Sequence, residues 1–303
     1  DNIQKVMIGK REVIDLVLTA LLSRGHVLLE DVPGTGKTML AKSLAKSLDA
    51  SFARLQLTPD LLPSDVTGLN YFDQKEGGFV FSPGPVFCNI LLADEINRAT
   101  PRTQSSLLEC MEEHQVTVDG VTRVLERPFF VIATQNPVET AGTFPLPEAQ
   151  LDRFLLKINM GFPSREEEVQ IMQRFMETSP LGTLSAVCDQ QTIISLQDAV
   201  KKVYIHPLLQ TYIADLALAT RQNSAVALGV SPRGSLAMLS ACRAYALLQG
   251  RGYVVPEDIK TLAAPVFAHR LVLSGDVTAL GADNIIANIL SATAVATEDW
   301  DKR

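Results

Sequence analysis

The segment Val32-Pro33-Gly34-Thr35-Gly36-Lys37-Thr38 has the residue types and spacing to hold a polyphosphate. Its glycines let backbone N–H groups turn inward around phosphate oxygens, Lys37 brings a cation to the β and γ phosphates, and Thr38 offers a hydroxyl to Mg²⁺. An apolar run at residues 26–30 precedes it and an amphipathic pattern at 37–48 follows it, so the loop joins a strand end to a helix start, as phosphate binding requires. Pro33, Gly34, Thr35, Gly36, Lys37, Thr38 and Met39 are the expected nucleotide contacts. Asp31 stands where the general pattern has its first glycine. Aspartate tolerates left-handed backbone better than most residues, so the turn survives if the carboxylate points away from the phosphates.

A second signal is the apolar run 89–93, which ends abruptly in Asp94-Glu95. Adjacent carboxylates at the end of a buried strand are costly unless a cation uses them, and parallel strands present their ends to a ligand crevice. Asp94 is expected to support Mg²⁺ and Glu95 to orient and polarise an attacking water. The run 129–134 leads into Gln135-Asn136-Pro137, where the neutral amide of Asn136 could hold the same water or a γ-phosphate oxygen. Asn-Pro is by itself also a plain turn signal.

The elements that must position these groups follow from alternation. Strands are expected at 26–30, 52–56, 89–93, 129–134 and 154–158, with helical patterns between, the grammar of a parallel sheet with crossover helices. Residues 57–88 are longer than such a crossover needs and hold an insertion; 116–122 read as a hairpin around Asp119-Gly120. After Gly161-Phe162-Pro163 the pattern becomes helical at 165–177, 192–203, 207–222, 232–248, 256–271 and 283–296, with Pro207, Pro232 and Pro256 in first turns and Ser231 as an N-cap. The expectation is an α/β core at 1–162 and a smaller all-α domain at 163–303.

Composition bounds the function classes. Hydrophobic residues make up 47% and charged residues 20%, which excludes disorder for most of the chain. With 27 basic and 34 acidic residues there is no broad basic face for a nucleic acid. The longest uncharged stretch, 77–93, is broken by Gly77, Gly78, Pro83, Gly84 and Pro85 and is no membrane span. Cys88, Cys110, Cys188 and Cys242 have no paired spacing and read as buried reduced thiols; the four histidines are isolated. A cytoplasmic location is expected.

The ordered set PGTGKT, ILLADE, NRATPRTQ (97–104), ATQNP, PLPEAQLDRF and SPR resembles the MoxR family of AAA+ ATPases, near the helix-2-insert and magnesium-chelatase branches, over essentially the whole chain. The resemblance implies a P-loop core with an all-α lid and a ring, usually a hexamer, with ATP at subunit boundaries. It identifies Lys37 and Thr38 with Walker A, Asp94 and Glu95 with Walker B, and Asn136 with sensor 1. Arg153, in Leu151-Asp152-Arg153-Phe154, matches the arginine finger that reaches a neighbour's γ-phosphate; the alternative is an ion pair with Asp152 or Glu148 of its own subunit. Arg233 matches sensor 2. A cation in a helix's first turn opposes the helix dipole unless an anion is near, and ATP would be that anion. Ile8 and Gly9, in Val6-Met7-Ile8-Gly9, resemble the segment that packs on adenine, though an apolar stretch there also reads as plain core. The insert at about 57–88 and the hairpin at about 115–125 resemble the family's helix-2 insert and pre-sensor-1 hairpin; the latter can face the ring pore or a partner, or be a simple edge.

On this resemblance the function is that of a Mg²⁺-dependent ATPase, binding ATP or ADP and remodelling or maturing protein or metalloprotein complexes together with a von Willebrand factor A domain partner. A nucleotide-gated assembly switch with little turnover is the alternative from another class. A DNA-acting relative is disfavoured by the acidic balance.

Overall fold

The sheet forms because its strands alternate between two faces, and both faces are apolar. In the computed structural model, which describes residues 1–137, 142–177, 180–275 and 281–295, the chain runs α1 (Arg11–Leu22), β1 (Val27–Glu30), α2 (Lys37–Ser47) and β2 (Phe52–Gln56). Next come α3 (Pro63–Thr67), β3 (Gly68–Asp73), β4 (Gly78–Pro83), β5 (Ile90–Asp94) and α4 (Pro101–Glu113). They are followed by β6 (Gln115–Val118), β7 (Val121–Val124), β8 (Phe130–Gln135), α5 (Glu148–Leu151) and β9 (Leu156–Ile158). Strands β2, β5, β8, β1 and β9 lie in that order in one parallel sheet. Val27, Leu29, Ile90, Leu92, Phe130 and Ile132 enter one apolar cluster, while Leu28, Leu91, Ala93, Val131 and Ala133 enter the other. A sheet buried on both faces is what βαβ crossovers produce.

The parallel register aligns Glu30 with Gln135 and Gln56 with Asp94, so these strands end along one edge. Compared with the alternation in the sequence, β5 and β8 begin one residue later and β9 begins at Leu156. Asn89 is spent on side-chain bonds, accepting from Ser51 N–H (3.1 Å) and Oγ–H (2.8 Å) and donating to the Pro128 carbonyl (3.1 Å). The Phe154 and Leu155 carbonyls are taken by side chains of the helical region rather than by a ladder.

The insertion consists of α3 and the antiparallel pair β3 and β4. Gly68 turns the chain at φ 89°, where a Cβ would lie 2.3 Å from the Ser82 carbonyl oxygen. The β6–β7 hairpin turns through Asp119 (φ 50°) and Gly120 (φ 75°), the two positive φ values that a tight primed turn demands. The two hairpins are joined: Asn70 donates to Asp119 Oδ2 (2.7 Å) and the Arg123 guanidinium lies 3.8 Å over the Phe81 ring.

Beyond β9 come α6 (Arg165–Glu177), α7 (Pro180–Thr183), α8 (Gln190–Val200), α9 (Pro207–Gln222), β10 (Val226–Leu228), α10 (Pro232–Leu248), α11 (Pro256–Phe267), β11 (Val272–Leu273) and α12 (Ala282–Ala292). The last helix ends at Ala292, with Thr293 in extended backbone, short of the expected 296, which itself lies outside the described residues. Asp189 caps α8 by accepting from Thr192 N–H, so that helix starts ahead of the apolar pattern. The α11 helix stops at Phe267, and the 3-10 turn after it aims His269 and Arg270 at the α/β region. There Arg270, whose side chain is 3% exposed, donates to Asp152 Oδ1 (2.6 Å) and to the Phe154 (2.8 Å) and Leu155 (3.2 Å) carbonyls. The core does not divide at residue 162: α1 packs on α8 and α10, and one cluster runs from Leu29 and Ile132 through Val17 to Met238 and Ile259.

His26 fastens the opposite end of β1. Its Nδ1 accepts from Val131 N–H (3.0 Å), which leaves the proton on Nε2 to donate to the Met111 carbonyl (3.0 Å). Burial lowers its pKa from 6.5 to about 4, against a small opposing effect of the Met111 carbonyl. Above pH 6.5 both folded and unfolded states hold it neutral. Between 6.5 and about 4 the unfolded chain alone takes up the proton, so stability falls by roughly 3 kcal/mol, 2.5 units at about 1.36 kcal/mol each. Denaturant unfolding at pH 7 and pH 4.5 should show a shallower acid loss for His26→Gln than for the unaltered chain; equal slopes would exclude this role.

Candidate active site

The strand ends and the loop after β1 close around a crevice of about 380 Å³ lined by Pro33, Gly34, Gly36, Lys37, Thr38, Met39, Arg54, Gln56, Asp94, Glu95, Thr134 and Asn136. Gly34 (φ 89°) and Gly36 (φ 93°) supply the left-handed turns that open the backbone before α2. At Gly36 a Cβ would stand 3.3 Å from the Met7 methyl. Thr35 is turned inward, its hydroxyl donating to the Val32 carbonyl (3.3 Å), and does not line the crevice. Lys37 Nζ donates to the carbonyls of Asp31 (2.8 Å) and Val32 (3.2 Å). Burial lowers the Lys37 pKa; Asp31, Asp94 and Glu95 act in the opposite direction. Such an ammonium stands among carbonyls and carboxylates that a phosphate could displace.

The Asp31 carboxylate meets the condition the sequence set, but its backbone is not left-handed: the loop's positive φ values fall at Gly34 and Gly36. The carboxylate faces away from the crevice, Oδ1 accepting from Val32 N–H (2.8 Å) and Oδ2 from the N–H groups of Met160 (3.1 Å) and Gly161 (2.9 Å).

The acidic pair is held from three sides. Asp94 Oδ1 accepts from the Thr134 hydroxyl (2.6 Å), and Oδ2 pairs with the Arg54 guanidinium (2.7 Å). Glu95 sits in left-handed backbone at φ 59°, a conformation that costs a non-glycine residue of order 1–3 kcal/mol and persists where its surroundings enforce it. Its N–H donates to Thr134 Oγ1 (2.8 Å), and its Oε2 accepts from Gln56 Nε2 (2.7 Å) and pairs with Arg98 Nε (3.1 Å). Asn136 reaches the same crevice from the end of β8, and Asn97 donates to its carbonyl (3.5 Å).

Arg54, Gln56 and Thr134 were not singled out by sequence reasoning. The alternation of β2 puts Arg54 and Gln56 on one side of the strand, two residues apart, and the register then sets Gln56 beside Asp94. The polar strand end was readable as a signal; the identity of its neighbour was not.

Of the expected site residues, Thr35, Ile8, Gly9, Arg153 and Arg233 are not in the crevice lining. Arg153 and Arg233 share Glu112 of α4: Oε2 pairs with Arg153 Nε (3.2 Å) and Oε1 with Arg233 Nη2 (3.1 Å), while Asp152 stands 3.8 Å from Arg233. Glu112 is thus an anion beside Arg233 at the start of α10. The carboxylate paired with Arg153 is again Glu112, in place of Asp152 or Glu148. Ile8 is buried, and Gly9 (φ 68°) backs onto Glu167 of α6; neither lines the crevice.

The family model for "ATPase family associated with various cellular activities (AAA)" matches residues 26–156, and the AAA lid domain model matches 218–289. Uncharacterized protein YeaC of Bacillus subtilis is 51% identical over 300 residues, 98% of this chain and 94% of that protein. Chaperone MoxR1 of Mycobacterium tuberculosis is 40% identical over 305 residues, covering 97% of this chain and 80% of the relative. A crystal structure from Cytophaga hutchinsonii, of a protein assigned provisionally as an ATPase, superposes with a TM-score of 0.91 at 38% identity over 98% of this chain and 93% of that one.

Thr134 is 1% exposed and its hydroxyl serves both acids. Thr134→Val keeps the shape but strands the Glu95 N–H and one Asp94 oxygen, so unfolding free energy should drop by roughly 2 kcal/mol, with Thr134→Ser close to the unaltered chain. Equal stability of all three in urea titrations would show that the hydroxyl holds neither acid.

Proposed function

This chain belongs to the MoxR family of AAA+ ATPases, and from that premise we propose that it is a Mg²⁺-dependent ATP hydrolase that remodels or matures protein or metalloprotein complexes. The observation that carries the reading is the convergence of Lys37, Thr38, Asp94, Glu95 and Asn136 on one crevice at the sheet edge. Lys37 leaves its loop carbonyls for the β and γ phosphates. Glu95 orients the attacking water and draws on its proton, and Asn136 holds that water or a γ-phosphate oxygen.

Thr38 and Asp94 are the residues for Mg²⁺. No described cluster of three or more His, Cys, Asp or Glu residues could hold a metal by itself. One carboxylate and one hydroxyl suit a hard cation that keeps waters and takes its remaining ligands from phosphates. When bound, the ion neutralises charge on the transferring group.

Arg153 and Arg233, both within reach of Glu112, form a two-guanidinium patch apart from the chain's own crevice, which supports a ring, a hexamer in this family reading, where they serve a neighbour's ATP. The insertion carries Phe72 and Phe79, 55% and 77% exposed, beside the β6–β7 hairpin; these are the proposed contacts for a protein client or a von Willebrand factor A domain partner. The acidic balance disfavours nucleic acid. Cys88, Cys110 and Cys242 are buried, as expected, whereas Cys188 is half-buried; a cytoplasmic location is part of this proposal. No described helix is long and apolar enough to cross a membrane.

A second reading, a nucleotide-gated assembly switch, is favoured by the hold of Gln56 and Arg98 on Glu95. Turnover separates the two. Glu95→Gln should bind ATP yet lose about 10²-fold or more in kcat, the span of a general base. Arg153→Ala should be equally slow, and mixing it with Glu95→Gln should restore activity, because each supplies what the other's interface lacks. Undiminished turnover in Glu95→Gln, or no restoration in rings shown to be mixed, counts against the hydrolytic assignment or the shared site respectively.

A further inference from the structure

We propose that Asp31 is a positioning residue that ties the phosphate loop to the segment joining the sheet to the helical lid, so that nucleotide uptake is felt in the backbone at Met160, Gly161 and the start of α6. The inference rests on the reading of the crevice as a nucleotide site.

Every polar group of Asp31 is engaged, and the residue is 5% exposed. Its N–H donates to the Gln135 carbonyl (3.1 Å), next to Asn136, and its carbonyl accepts from Lys37 Nζ (2.8 Å). Its carboxylate accepts from Val32, Met160 and Gly161 N–H groups. A glycine at this position, the usual occupant of such loops, would make none of the side-chain bonds. Charge-assisted bonds of this kind are roughly twice as strong as neutral ones.

The joining segment is gripped from its other side as well. Lys10 Nζ donates to the carbonyls of Met160 (2.7 Å), Gly161 (3.1 Å) and Phe162 (3.3 Å). N–H groups thus meet a carboxylate from the phosphate loop and carbonyls meet an ammonium from the segment before α1. Helix α6 begins just beyond, its first turn closed by Ser164 N–H to Glu167 Oε2 (2.8 Å) and Glu167 N–H to Ser164 Oγ (3.3 Å).

Lys37 connects this grip to the ligand. To reach phosphates it must abandon the carbonyls of Asp31 and Val32. Asp31, whose carbonyl loses the ammonium, also holds the Met160 and Gly161 N–H groups on its carboxylate, so the displacement is passed in two hydrogen-bonded steps to the segment that leads into α6. A ligand moves such an equilibrium when it favours one arrangement, and here the favoured one has Lys37 on phosphate.

Hydrogen exchange over residues 159–175 of the whole chain, with and without a non-hydrolysable ATP analogue and Mg²⁺, tests the coupling, with binding followed separately by calorimetry. The unaltered chain should change exchange there on binding. Asp31→Gly should exchange about tenfold faster at Met160 and Gly161 before binding, the ratio for one lost hydrogen bond, and α6 should no longer respond although the analogue still binds. Lys10→Met should also loosen the segment yet keep the response, because it leaves the link to Lys37 in place. A full response in Asp31→Gly, or its loss in Lys10→Met, overturns the proposal. Should Asp31→Gly not fold, Asp31→Ser, too short to reach Met160, is judged by the same criterion. An unaltered chain that binds no analogue sinks the nucleotide reading; one that binds but leaves 159–175 unchanged sinks this inference alone.

Discussion

Parallel pairing of β1, β5 and β8 is the constraint on which the rest depends. Because all three run the same way in register, the loop after β1, the acids at the end of β5 and the amide after β8 must emerge along one edge. The strands are buried on both faces, so a one-residue slip would move Leu29, Leu92 and Ile132 out of one cluster and into the other. Packing of apolar side chains thereby fixes the position of charged ones that contribute little to stability themselves.

Around that edge the charges are mutually compensated. Lys37 rests on carbonyls, Asp94 on Arg54 and Thr134, and Glu95 on Gln56 and Arg98. Each of these contacts satisfies a group that would otherwise be costly to desolvate.

The helical lid is not a separate body set beside the α/β region. Arg270 enters from the turn after α11 and satisfies Asp152 and the backbone before β9, while α1 shares its apolar face with α10. Arg153 and Arg233, which come from the two regions, meet at Glu112. A buried guanidinium stripped of its carboxylate partner is strongly destabilising, so Arg270 and Asp152 stay paired.

Sequence alone determined the elements and the chemistry at their ends. Period-2 alternation marks the strands, glycines and Lys-Thr mark the phosphate loop, and Asp-Gly marks the hairpin, because each depends on residues adjacent along the chain. The boundary shifts at Asn89, at Phe154 and at the end of α11 were not legible, since they follow from side chains that bond to distant backbone. Nor were the partners of Arg153 and Arg233, the role of Arg54 and Gln56, or the direction of the Asp31 carboxylate. Those were decided by tertiary structure: which charge faces which is set by strand order and helix packing, and an ion pair between residues 121 positions apart leaves no local trace.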